Sequence, residues 1–288
     1  MSAKFGPAGN SDAFSAVHKS SLAAPQWIAE QGLDCYEYQC GKGVHVGEDT
    51  ARRVGENARK HGISLSLHAP YFINLANPDP DSLQKTIGYI TSACLVASQM
   101  GASRVVIHSG ALMKRTRREA LDTALRSLRE VIRTCDGQGF GHIALCPETM
   151  GKINQLGDLE EVLELCTLDE RLIPCIDFGH LYARSLGADD GAEAFGRMLD
   201  RVESVLGQSR ASVFHSHFSH IQFTPGGGEK CHRTFDDDDG YGPDWAPLAR
   251  AIARRGWSPT FICECAGTQA KDALTMKRIY QEVLTAQG

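Results

Sequence analysis

At 288 residues, 42% hydrophobic and 23% charged, the chain has an ordinary globular composition, with room for one α/β barrel of about 250 residues. That balance excludes a disordered polypeptide, and no apolar run approaches the roughly 20 residues that a membrane span needs. A formal net charge of −5 carries no global signature of a nucleic-acid binder. The opening Met1-Ser-Ala-Lys-Phe-Gly6 lacks an apolar signal core, so a cytoplasmic protein is expected.

Strand-length apolar runs alternate with segments of helical period, the pattern of βαβ units around a parallel sheet. Eight strands are expected, at residues 3–6, 34–38, 64–68, 104–108, 142–148, 172–177, 212–218 and 260–264. Helices fall between them, for example at 81–100 and 117–135, with Gly62 and Gly101 as C-terminal stops. No low-complexity linker interrupts the rhythm, so one TIM (β/α)8 barrel over 1–288 is the expected fold and a single domain. The longest irregular stretches, 69–80, 149–157 and 224–243, each follow a strand. Loops after barrel strands border the active face. Asp236-Asp-Asp-Asp239 in the last of them reads as a solvated turn. Ten cysteines are spread over strands and helices without paired C-x-x-C spacing, so most are expected to be reduced core residues. Cys263 and Cys265 flank Glu264, and strand alternation turns them away from the side it faces.

Seven acidic or histidine residues end the apolar runs: His68, His108, Glu148, Asp177, His215 and His217, and Glu264. In a parallel barrel the C-terminal strand ends converge, so residues scattered along the sequence can meet at one point. A set of imidazoles and carboxylates suits zinc, with manganese or iron as alternatives. Asp177-Phe-Gly-His180 offers two ligands from one segment, and Glu148 is placed to bridge two ions through its two oxygens. A basic cluster at Lys114, Arg115, Arg117 and Arg118 reads either as a solvated first turn of helix or as a phosphate-contacting loop.

The segments Ser66-Leu-His-Ala-Pro-Tyr-Phe-Ile-Asn-Leu75, Val106-Ile-His-Ser-Gly110, Cys146-Pro-Glu-Thr-Met-Gly-Lys152, Cys175-Ile-Asp-Phe-Gly-His-Leu181, Phe214-His-Ser-His-Phe-Ser219 and Ile262-Cys-Glu264 resemble, in order, the strand-end motifs of the endonuclease IV family. The resemblance covers nearly the whole chain. It implies about three zinc ions and a phosphodiesterase that incises duplex DNA 5′ to abasic sites in base excision repair. It further implies that His68, His108 and Glu148 hold one ion, and that Glu148, Asp177, His217 and Glu264 hold the second. His180 and His232 would hold the third with an acidic residue of the same loop. Of the two histidines on one strand, the following Phe-Ser favours His217 over His215.

Glu148 and Glu264 would orient the nucleophile and Asp177 would fix its metal. Tyr71 matches the tyrosine that the family inserts at the lesion. The chain departs from the family twice. Its loop reads Glu229-Lys-Cys-His232 where the family has Asp-x-His, so Glu229 is expected to substitute, and Gln39-Cys-Gly-Lys42 lacks the arginine that partners the tyrosine. Phosphate repulsion would be countered by Lys42, Lys114, Arg115 and Lys152. A monomer suits an enzyme that embraces a duplex.

Two rival readings remain. A sugar isomerase or epimerase would need one divalent ion, for which Glu148, Asp177, His217 and Glu264 suffice, but His68, His108, His180 and His232 would then have no role. A noncatalytic module with a structural zinc would need a closed four-coordinate site, and the mixed ligands outnumber one.

Overall fold

The computed structural model describes residues 2–287. Its barrel strands are β1 (Lys4–Pro7), β2 (Cys35–Gln39), β3 (Ser64–His68), β4 (Arg104–His108), β5 (Ala144–Glu148), β6 (Cys175–Asp177) and β7 (His215–Phe218). A hairpin of β8 (His220–Thr224) and β9 (Gly228–Arg233) follows, and β10 (Thr260–Cys263) completes the barrel. Every neighbouring pair in the order β1-β10-β7-β6-β5-β4-β3-β2 is parallel. The ring closes where Gly9 N–H donates to the Glu37 carbonyl at 2.9 Å, beside a parallel bridge from Ala8 to Glu37.

Alternation along each strand sorts its side chains. On β3, Leu65 and Leu67 join the apolar layer between barrel and helices, while Ser66 and His68 turn inward to reach Glu37 and Glu148. The outer layer holds Phe5, stacked on Phe261 at 5.6 Å and edge-on to Trp245 at 5.8 Å. Truncating either buried phenylalanine to alanine would cost roughly 3–5 kcal/mol. The helices expected from the periodicity lie at Pro80–Met100 and Arg117–Gly137. The first ends at Gly101 in the left-handed conformation, and Gly62 ends the helix Glu48–His61 in the same way. The second begins with a capping box between Thr116 and Glu119. No helix among the described residues is long and apolar enough to cross a membrane.

The stretch 224–243 is not the irregular loop that its glycines suggest, because its first part is β-structure. Pro225-Gly-Gly-Gly228 forms the turn of the β8–β9 hairpin, with Gly228 at φ 72°. Register slips by one between Gln222, opposite Cys231, and Phe223, opposite Glu229, which leaves Lys230 without a partner. That extra residue is a β-bulge, and it decides where the next side chains point.

Candidate metal centre

Glu148 ends β5 at the centre of the barrel mouth and is 1% exposed. Its Oε2 lies 3.3 Å from His68 Nε2 and 3.3 Å from His108 Nε2, and its Oε1 lies 2.9 Å from His217 Nδ1 and 3.6 Å from His180 Nδ1. Both oxygens thus face ligand-type groups. Around it, potential donor atoms of Glu148, Asp177, His217 and Glu264 lie within 4.8 Å of one another, as do those of His68, Glu148 and His217. His108 joins the edge of the latter set, its ring 5.2 Å from that of His68. A third set, His180, Glu229 and His232, adjoins them.

Glu229 and His232 are three residues apart, a spacing that strand alternation would send to opposite faces. The bulge at Lys230 takes up the extra residue and returns both to one side, so the departure from Asp-x-His is absorbed by the backbone. The hairpin is fastened to the loop after β5, where Glu229 N–H donates to Gly151 O and Ile153 N–H to Gly227 O, each at 3.2 Å. Contact there is close enough that a Cβ on Gly151 would lie 2.7 Å from Glu229 Cβ.

Each histidine is anchored through one nitrogen. His68 Nδ1 donates to Ala69 O (2.7 Å), His108 Nδ1 to Tyr71 O (2.8 Å) and His180 Nδ1 to Thr149 O (2.8 Å). Carbonyl oxygens only accept, so in these three rings Nε2 is the nitrogen left to face the carboxylates and, once it gives up its proton, to bind a metal. His232 Nδ1 bonds Ser219 Oγ at 2.7 Å, again leaving Nε2. His217 is reversed. Its Nε2 lies 2.9 Å from Glu37 Oε1, and its Nδ1 faces Glu148 and, at 3.5 Å, Glu264.

Asp177 caps the helix Phe178–Arg184 by accepting His180 N–H on Oδ1 at 2.7 Å, yet its buried Oδ2 has no hydrogen-bond partner. Burial raises its carboxyl above the ordinary range. Burial alone would also lower His68 and His180, but Glu148 beside the first, and Asp177 with Glu229 and Glu148 beside the second, hold each up at about 9. Burial likewise opposes charge on Glu148, and the surrounding histidines, His217 foremost, keep it well below the usual carboxylate pKa. Anchored imidazoles, clustered carboxylates and an orphaned carboxylate oxygen are what a divalent ion needs, so the donor set fits a metal.

The mouth is a cleft of about 310 Å³ that also reaches Gln39, Gly41, Tyr71, Met150, Lys152 and Gln155. Tyr71 stands at its rim, 56% exposed, with Lys152 also exposed on it. Lys42 lines an adjoining depression that shares Gln39 and Gly41. The structure brings none of the basic cluster's arginines there. Arg115 bonds Ala76 O and Thr123 Oγ1, Arg117 pairs with Glu161, and Arg118 pairs with Asp122 and Glu164. These contacts give the cluster the solvated-helix role, with Lys114 and Arg118 exposed on it. Cys263 and Cys265 lie in the apolar core, away from Glu264, and form a separate buried group with Asp272.

The residue that sequence reasoning passed over is Glu37. It is a carboxylate in the middle of Cys35-Tyr-Glu-Tyr-Gln39, fully buried inside the barrel. A charged side chain in a strand that should be buried was the available signal. His215, the rival ligand, sits one layer deeper than His217 and bonds Glu37 Oε2 at 2.9 Å. Burial lowers its pKa to about 4, which leaves it neutral.

A family model described as a xylose isomerase-like TIM barrel matches residues 25–282. An uncharacterized protein of Methanocaldococcus jannaschii is 29% identical over 256 residues, 89% of this chain and 90% of that one. A probable endonuclease 4 of Acholeplasma laidlawii is 27% identical over 165 residues, so the match spans only 54% of either protein. Among solved structures, a D-tagatose 3-epimerase-like protein superposes with a TM-score of 0.71 at 18% identity, over 93% of this chain and 97% of that one. Endonuclease IV of Thermus thermophilus superposes with a TM-score of 0.61 at 18% identity, over 93% and 95%. At such identities the likeness speaks for the fold.

Proposed function

Because the chain belongs to the xylose isomerase-like TIM-barrel family, and because its ligand groups exceed what one ion can use, we propose that it is a zinc-dependent phosphodiesterase that incises duplex DNA 5′ to abasic sites. The observation that carries this reading is the third group. His180, Glu229 and His232 adjoin the set of Glu148, Asp177, His217 and Glu264, and a single-ion enzyme has no use for them. Partial similarity to probable endonuclease 4 proteins supports the same choice.

Ions bound there would supply Lewis-acid stabilisation of charge at a phosphoryl group and make water acidic enough to serve as a nucleophile near neutral pH. His68, His108 and Glu148 would hold the first ion, Glu148, Asp177, His217 and Glu264 the second, and His180, Glu229 and His232 the third. Glu148 would serve both of the first two, because each of its oxygens faces a different set of histidines. Glu148 and Glu264 would orient the attacking water, and Asp177 would fix its ion. Tyr71 at the rim is the side chain to meet the lesion. Lys152, Lys42 and Lys114 would offset phosphate charge on a protein of net charge −5.

One observation favours a second reading. A cleft of about 310 Å³ is small-molecule sized, and Glu148, Asp177, His217 and Glu264 alone could hold one ion for epimerising a ketose. An end-labelled duplex with one abasic site separates the two. The zinc-loaded protein should nick 5′ to the site, lose activity on chelation and regain it with zinc. Intact duplex together with epimerised ketose would overturn the nuclease reading.

A further inference from the structure

His217 is the one histidine of the centre held by a carboxylate rather than by a carbonyl or hydroxyl oxygen. Its Nδ1, not its Nε2, is the nitrogen left facing the other ligands, Glu148 at 2.9 Å and Glu264 at 3.5 Å. The carboxylate is Glu37 on β2, one layer below the cleft and absent from its lining. Glu37 accepts four hydrogen bonds. Oε1 takes His217 Nε2 at 2.9 Å and Gln39 Nε2 at 3.1 Å, while Oε2 takes His215 Nε2 at 2.9 Å and Ser66 Oγ at 2.9 Å.

An ionised carboxylate accepts about that many bonds, so its position and charge are fixed from all sides. The His215 end is fixed independently of any choice of tautomer. Its Nδ1 meets Arg104 Nη1 at 3.5 Å, and a guanidinium can only donate, so the His215 proton sits on Nε2 and points at Glu37. Arg104 itself is tied to Val213 O at 2.7 Å. A chain of bonds from β4 through β7 to β2 thus holds one carboxylate still.

We propose that Glu37 is the positioning residue of the metal centre: by accepting the Nε2 proton of His217 it keeps that ring in the tautomer whose Nδ1 lone pair faces Glu148 and Glu264. Its charge also makes Nδ1 a stronger donor, as carboxylates behind metal-bound imidazoles generally do. The inference rests on the metal-centre reading above but not on which substrate the centre serves. Glu37 touches no substrate, so its effect is read on the metal.

The test compares the parent with Glu37→Gln, which keeps shape and loses charge, and with Ser66→Ala, which removes one of the four bonds and leaves the charge. Zinc affinity is measured by chelator competition, and the His217 tautomer by long-range proton–nitrogen NMR on histidine-labelled, zinc-loaded protein. The parent should show zinc on Nδ1 and hydrogen on Nε2 of His217. Glu37→Gln should weaken the tightest-bound zinc by about 10- to 100-fold and mix the tautomers, while Ser66→Ala weakens it by a few-fold. Parent affinity and an unchanged tautomer in Glu37→Gln, or zinc on Nε2 in the parent, would overturn the proposal. Should Glu37→Gln fail to fold, parent affinity in Ser66→Ala would overturn it. A parent that takes up zinc yet leaves abasic DNA intact refutes the nuclease alone, and one that takes up none refutes both.

Discussion

Glu148, Asp177 and His217 stand on strands paired on both sides within the closed barrel, with Glu37 and His215 bonded beneath them. Glu229 and His232 ride on a two-stranded hairpin held to the barrel mouth by its contacts with Gly151, Ile153 and Ser219. The first group is positioned by the fold itself, and losing it means disturbing a core. The second is positioned by a bulge and a few close backbone contacts. Its ion should therefore come and go without the barrel noticing, and the two groups should respond differently to the same insult.

The sharpest way to break the contrast is Glu148→Gln. Because that carboxylate faces both sets of barrel-floor ligands, the change should lower incision by about 1,000-fold or more while leaving the fold intact. Incision within about tenfold of the parent would remove the bridging role.

Next come substitutions confined to the hairpin group. Glu229→Ala should cost about one equivalent of zinc and slow incision, leaving the barrel-floor ions in place. Gly151→Ala should do the same from a distance, since its new methyl would lie 2.7 Å from Glu229 Cβ and 3.0 Å from His180 Cδ2. Full zinc content in either variant would show that the hairpin does not deliver a ligand. His45→Ala, in a residue whose Nε2 bonds only Lys42 O at 3.3 Å, should change neither zinc nor rate.

Acidity gives a smaller and graded test. In the metal-free chain His68 and His180 are held up at about 9, against an ordinary 6.5. Such raised groups stabilise the metal-free fold below pH 6.5, and that contribution fades as pH climbs through about 9. Zinc must displace the same protons, so its affinity should move the opposite way. Between pH 6.5 and 9 it should rise by about tenfold per pH unit for each proton displaced. A flat profile in a competition titration would mean that the imidazoles are already neutral in the free protein.

The smallest effect expected is from deleting Lys230. Without the bulge, Glu229 and His232 would be two residues apart and alternation alone would keep them on one face. Zinc content should stay at the parental level, and its loss would show that the bulge's twist is needed as well.

How far the sequence foretells this arrangement follows the same division. Strand ends such as His68, His108 and Asp177 were legible because each closes an apolar run and the barrel brings those ends together. The observed barrel strands begin and end within three residues of the expected positions, while the hairpin of β8 and β9 was not expected. Glu229 and His232 were legible only as residue types. Their common facing depends on a register slip between Gln222 and Phe223 that no local periodicity announces. Glu37 was hidden for a related reason. Its histidine partners His215 and His217 come from β7, about 180 residues on, so its role exists only once the barrel is closed. The basic run at Lys114, Arg115, Arg117 and Arg118 misleads in the other direction. Its acidic partners Glu161 and Glu164 lie some forty residues on, and they take up the charge that sequence alone would offer to phosphate.

Elemental analysis of the zinc-loaded chain tests the central claim most directly. A centre of adjoining ligand groups predicts two to three equivalents per chain, falling by about one in Glu229→Ala and again in His68→Ala. One equivalent, unchanged in both variants, would contradict the account and leave a single-ion barrel in its place.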